Sequence, residues 1–271
     1  MIISFIGGGK RVEKCSKIFE NRCEFEIGGF YCNPIKDCAD VAIKTNTCLF
    51  SCIDDLCNAS DVVFIATEDE MLPAVIRTFT KLHIHNKIIV SSIRGTYATD
   101  LETGYDNTNI VIDSFAPPEQ MTDAELDEPY IVANGSGKKL DLFKTALANS
   151  SIKCDFLSKP ELDLFRVSYQ LMHFGIYAVL NCGSKLSKIA TSNNNFNVMP
   201  LIRNAIKCSA SKPEAPYSNG NVREIGEIVD VLDNIGIDSV TKLYKSVSEV
   251  IVEGADLEKD VADDILKVLR K

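Results

Sequence analysis

The chain has 271 residues, 45% of them hydrophobic, with 38 acidic against 29 basic side chains and a net charge of -9. This is ordinary globular composition, which excludes a disordered, collagen-like or coiled-coil chain, and the length suffices for two domains whose cores need no staple. The acidic excess, with no gathered basic face to offset it, excludes a phosphate-backbone partner, and no apolar run approaches a membrane span. The opening MIISFIGGGK lacks a basic n-region and a cleavage site, so the chain is expected in the cytosol.

Taken in order, residues 1–6 form a continuous apolar run stopped by three glycines, which predicts a strand; 10–21 then carries Val12, Cys15, Ile18 and Phe19 on one helical face. Residues 25–32 read as a second strand, 36–42 as a short helix and 47–52 as a weak third strand. Residues 62–66 are a buried strand, 71–82 a helix with Pro73 tolerated in its first turn, and 87–91 the fifth strand. Two further strands are predicted at 110–112 and 130–133. Strands alternating with helices at this spacing imply a doubly wound parallel sheet with right-handed crossovers. Beyond residue 159 the pattern is helical throughout, with helices predicted over 161–190, 198–208, 222–234, 239–253 and 257–270. The expected division is therefore an α/β Rossmann-type domain over 1–157 and an all-helical domain over 158–271.

Seven of the ten cysteines (Cys15, Cys23, Cys32, Cys38, Cys48, Cys52, Cys57) fall in the first 57 residues. No C-x-x-C occurs and the spacings match no zinc or iron–sulfur run, so they read as buried reduced thiols and no metal is expected.

Candidate chemistry begins at Gly7, Gly8 and Gly9, set between the first strand and its helix, where free N–H groups can hold a diphosphate. Gly7 and Gly9 fill the first two positions of G-x-G-x-x-G, but Val12 stands at the third. The second strand ends Tyr31, Cys32, Asn33 without a carboxylate. Asn33 can contact a 2′-phosphate and Lys10, Arg11 or Lys36 can neutralise it, which favours NADP over NAD; the alternative is that the three cations are solvated surface charges. Strands four and five run out into Ala66, Thr67 and Ser91, Ser92, Ile93, Arg94, where open α/β sheets bind ligands. Ala66, Thr67 and Ser92 fit the crevice beside a nicotinamide, and Arg94 can pair with a substrate carboxylate; capping is the alternative for Thr67 and Ser92.

The segment 161–190 is apolar on most sides, as a buried helix would be, yet Arg166, Gln170, His173, Tyr177, Asn181, Ser184 and Lys188 recur at steps of three or four. At about 100° per residue they share one stripe, which must meet water, a polar surface or a ligand crevice. Gln170 and His173 are candidates to hydrogen-bond a reacting atom, with His173 as general acid. The alternative is interdomain or dimer hydrogen bonding.

The motifs FIGGGKRV at 5–12, DVVFIATEDEML at 61–72, KIIVSSIRGTYATDLE at 87–102, DSFAPPEQM at 113–121 and PEAPYSNGNVREIGEIVDVL at 213–232 resemble a group of Rossmann-like oxidoreductases with a helical C-terminal domain of unknown function. That group is related to pyrroline-5-carboxylate reductase, ketopantoate reductase and 6-phosphogluconate dehydrogenase. The resemblance implies NADP(H) at the 7–12 turn and a homodimer formed through the helical domain. It also marks three departures: Val12 for glycine, Ala116-Pro117 for a His-Pro pair, and Arg166 for a histidine. The expected function is hydride transfer between NADP(H) and the C=O or C=N carbon of a small, carboxylate-bearing metabolite. The rivals are a nucleotide-binding regulator on the same fold and a Rossmann-type methyltransferase using S-adenosylmethionine.

Overall fold

A computed structural model describes the chain except residues 94, 105, 115–121, 123–125, 192–198, 201–202, 204–215, 218–219, 256 and 271, and except the side chains of Ser114, His173 and Thr191. It divides into two compact units, Met1–Tyr169 and Gln170–Lys271.

The first unit is built on one eight-stranded sheet: β1 (Ile2–Ile6), β2 (Glu26–Tyr31), β3 (Cys48–Leu49), β4 (Val62–Ile65), β5 (Ile88–Ser91), β6 (Thr108–Ser114), β7 (Tyr130–Ser136) and β8 (Lys153–Phe156). The spatial order is β3-β2-β1-β4-β5-β6-β7-β8. Helices α1 (Gly9–Phe19), α2 (Lys36–Thr45), α3 (Ile53–Ala59), α4 (Leu72–Lys81) and α5 (Leu140–Asn149) connect the strands. Successive side chains on a strand point to opposite faces, and both faces here are covered, which is why these strands read as unbroken apolar runs. On β4, Val62 and Phe64 join the core formed with α1, α2 and α5, while Val63 and Ile65 join the core formed with α3 and α4. Phe5 lies at the centre of the first core, its ring centroid 5.5 Å from Phe30 and 5.2 Å from Phe64.

Two features depart from the sequence expectation. The sheet is not parallel throughout: β7 pairs antiparallel with β6, and β8 then pairs parallel with β7 after the α5 crossover. Helices α3 and α5 and strand β8 were not anticipated; β8, Lys-Cys-Asp-Phe, is a four-residue edge strand that buries little of either face.

Helix α6 (Lys159–Thr191) begins in the first unit and ends in the second. Its start is capped as the sequence Ser-x-x-Glu dictates: Glu161 Oε2 accepts from the Ser158 backbone N–H at 2.8 Å and from its hydroxyl at 2.7 Å. Those bonds hold the Glu161 carboxyl below its ordinary pKa. The expectation that α6 is buried is not met: Leu171, Phe174 and Ile176 are 70%, 60% and 56% exposed.

In the second unit, α7 (Val222–Ile235), α8 (Asp238–Gly254) and α9 (Lys259–Leu269) enclose a core containing Ile225, Val229, Val252, Ile265 and Leu269. Asn221 caps α7 by accepting from the Glu224 N–H at 3.2 Å, and Gly236 ends it in the left-handed conformation that Gly tolerates best. The helix expected over 198–208 lies for the most part outside the described residues.

Candidate functional site

In the sheet order, β1 lies between β2 and β4, so the connections from β1 and β4 depart to opposite faces and leave a crevice at the strands' carboxyl ends. A cavity of about 560 Å³ opens there, within the range of small-molecule sites. Gly7, Gly8 and Gly9 line it from β1, Cys32 and Asn33 from β2, and Ala66, Thr67 and Glu68 from β4; Asp37, Ile53 and Thr78 complete the wall from three helices.

The glycine turn is fixed by close approach. Gly7 has φ +139°, donates its N–H to the Tyr31 carbonyl at 2.9 Å, and a Cβ there would lie 2.4 Å from the Ala66 oxygen. Only glycine fits. Val12, at the position of the fingerprint's third glycine, is fully buried in the core formed with α1 and is not a lining residue, so the departure leaves the cavity open. Beyond the turn, Gly8 is the N-cap of α1; no side chain caps the helix and its first turn carries no acid. An uncapped helix N-terminus of this length presents N–H groups and a positive dipole end to an anion.

Thr67 supplies a second observation at this wall. Its Oγ1 is buried and, among the described residues, is the one buried side-chain oxygen or nitrogen that finds no partner. Leaving such a group unsatisfied costs about 1–3 kcal/mol, which a hydrogen-bonding ligand would recover. The fit to a dinucleotide therefore rests on a turn that only glycine can make, a helix start without a side-chain cap below it and an orphaned hydroxyl beside it.

Of the residues singled out in the sequence, Gly7, Gly8, Gly9, Asn33, Ala66 and Thr67 come together on this wall. Lys10, exposed in the first turn of α1, does not line it. Arg11 reaches the loop after β4, donating to the Thr67 carbonyl at 2.6 Å and pairing with Asp69 at 3.5 Å. Ser92 is buried and donates its N–H to the Ile65 carbonyl at 3.2 Å. Gln170 is exposed on α6. Arg94, Ala116, Pro117 and the His173 side chain lie outside the described residues.

Three things escaped the sequence reading. Asp37 and Glu68 put two carboxylates on the cavity wall; Asp37 sits in the first turn of α2, with its Cβ 2.9 Å from where a Gly8 Cβ would be. Cys32 and Cys38 form a disulfide, which corrects the reading of those two as reduced thiols, while Cys23, Cys48 and Cys52 are exposed rather than buried. Disulfide partners are decided by where the fold brings two chain segments, which spacing does not reveal. Finally, Arg166 donates to Asp113 through Nε at 3.0 Å and Nη2 at 2.7 Å, and to the Thr96 carbonyl at 2.6 Å, beneath the Tyr97 ring, whose hydroxyl bonds Asp163. Asp113 is on β6, so this buried pair stands at the same carboxyl edge of the sheet as the cavity.

No protein-family model and no curated protein matches the chain. Solved structures do. An imine reductase from a Pseudomonas species is 15% identical over 99% of each chain, with a TM-score of 0.57. A 1-pyrroline-5-carboxylate reductase from Streptococcus pyogenes is 14% identical over 100% of this chain and 99% of its own, with a TM-score of 0.56. A reductive aminase from Aspergillus terreus, solved in complex with NADPH4, cyclohexanone and allyl amine, is 14% identical over 99% and 92%, with a TM-score of 0.57. The chain thus has the Rossmann-type fold with a helical C-terminal region that these proteins share, and one of them is of a kind that the sequence motifs resemble.

Proposed function

We propose that the chain is an NADP(H)-dependent oxidoreductase acting on the C=N or C=O carbon of a small, carboxylate-bearing metabolite. The observation that carries this reading is the cavity itself: uncapped amides of α1 beneath an obligatory glycine, with the Thr67 hydroxyl unpartnered beside them. The similarity in fold to an imine reductase, a pyrroline-5-carboxylate reductase and a reductive aminase supports C=N as the reacting bond.

In this reading the amides of residues 8–11 hold the diphosphate, and Asn33, with Lys10 and Lys36 on the adjoining helix starts, serves the 2′-phosphate end. Ala66, Thr67 and Ser92 serve the nicotinamide side. NADPH, when bound, supplies the hydride. Arg94 orients the substrate carboxylate, Gln170 hydrogen-bonds the reacting nitrogen or oxygen, and His173 delivers the proton. The protein works as a homodimer through its helical unit, in the cytosol; the exposed apolar side chains of α6 support the dimer.

The test is loss of reduced-nicotinamide absorbance with NADPH and a panel of cyclic imines and keto acids. Turnover of at least one is expected, and His173→Gln should slow it while leaving NADPH binding intact. A second reading is binding without turnover, favoured by Arg166, which stands where the resembled family has a histidine and is committed to a buried carboxylate. NADPH binding with no turnover across the panel would decide for that reading.

A further inference from the structure

We propose that the Cys32–Cys38 disulfide is a redox-responsive clamp on the wall of the dinucleotide cavity, and that its opening by a dithiol weakens NADP(H) binding. This inference rests on the cofactor reading above. Cys32 follows the last residue of β2 and lines the cavity; Cys38 lies in the first turn of α2 and is fully buried. The bond between them closes a short loop that contains Asn33 and Asp37, both on the cavity wall.

The body of α2 is packed into the core, whereas its start is held by local bonds. Ile35, the residue before α2, makes no side-chain cap and is 51% exposed. The backbone bonds of the turn, from the Asp37 N–H to the Pro34 carbonyl and from the Cys38 N–H to the Ile35 carbonyl, are local to it. Of the α2 side chains only Cys38, Val41 and Ala42 are buried, and the Glu13–Lys44 ion pair ties down the far end of the helix. Yet Asp37 is in contact distance of Gly8, so the position of the first turn of α2 sets the width of the diphosphate cradle. A covalent tie here pre-organises the wall, and removing it makes the ligand bear the cost of ordering that segment.

The exchange balances with a dithiol as reductant. A thiolate of the dithiol attacks the sulfur of Cys32, the partner whose residue lines the cavity; the S–S bond breaks, and Cys38 leaves as a thiolate and takes a proton. The second thiol of the reagent then displaces Cys32. Two electrons have passed to the protein, both cysteines are thiols, and the reagent is a disulfide. A seated dinucleotide slows attack through the cavity by occlusion, whereas the weaker binding after reduction follows from the lost pre-organisation of the wall, and to the same extent bound NADPH favours the disulfide at equilibrium.

The experiment uses the full chain, NADPH and dithiothreitol. Alkylation mapped by mass spectrometry should find Cys32 and Cys38 protected before reduction and labelled after it. The Kd for NADPH should rise about tenfold on reduction, within the usual span of coupled equilibria. Saturating NADPH should slow the labelling of Cys32 relative to exposed Cys48. Cys38→Ala, checked for a cooperative melt, should bind NADPH like the reduced protein with or without dithiothreitol. If that variant fails to fold, the reduced and oxidised wild-type proteins still give the comparison. Equal affinity in both states, or Cys32 and Cys38 alkylated without reduction, overturns the clamp and leaves the cofactor reading standing. No NADPH binding in either state removes the cofactor reading, and the clamp with it.

Discussion

Thr67 keeps a buried hydroxyl without a partner, so replacing it should separate folding from binding. Thr67→Val removes a desolvated polar group that gains nothing in the free protein, and the melting temperature should hold or rise. The same change should weaken NADPH binding about fivefold, the worth of one modest hydrogen bond, as read by titration calorimetry. Unaltered affinity would place the hydroxyl away from the ligand. Cys57 makes a different prediction. Burial in the core of α3 and α4 pushes its thiol from the ordinary 9.0 up to about 12. The unfolded chain therefore loses this proton first, and the stability present below pH 9.0 is lost as the pH rises toward about 12. Urea unfolding across that range should show the decline, and Cys57→Ala should lessen it, with the rest carried by Cys154, whose thiol burial likewise pushes up to about 12. At this scale the glycine turn, Asn33, Ala66 and Thr67 were legible because backbone geometry and strand ends fix them. Asp37 and the Cys32 pairing were not, because both depend on where the start of α2 comes to rest.

Among the elements, the joint between β6 and the first turns of α6 is made by Arg166 and Asp113, 2.7 Å apart with Asp113 only 4% exposed. Removing one partner of a buried pair leaves a charge without compensation, so Arg166→Met should destabilise the first unit by about 3–5 kcal/mol. Adding Asp113→Asn should restore much of that loss, and chemical denaturation of the two single variants and the double closes the cycle. A loss in the double variant as large as the sum of the two singles would mean that the pair is not coupled. The strands of β1, β4 and β5 were readable as apolar runs because both faces are covered. The reversal at β7 was not, since alternation reports which face a residue takes and says nothing of strand direction. Among the described residues no helix is long and apolar enough to cross a membrane, although α6 runs for 33 residues.

For the molecule as a whole, the proposed homodimer is supported by Leu171, Ile176 and Val179 of α6, which are exposed among the described residues of this 29.9 kDa chain. Light scattering coupled to gel filtration should give about twice that mass, and Leu171→Asp with Phe174→Asp should halve it. A monomer in the unmodified protein would contradict the dimer. The sequence pattern of α6 was read as burial within one chain, because periodicity cannot tell a core from an interface. Titration calorimetry of the full chain with NADPH tests the central claim most directly. Saturable binding, one NADPH to each chain, with a melting temperature that climbs as the logarithm of cofactor concentration, is the expected result. No heat of binding and no thermal shift at millimolar NADPH would contradict it.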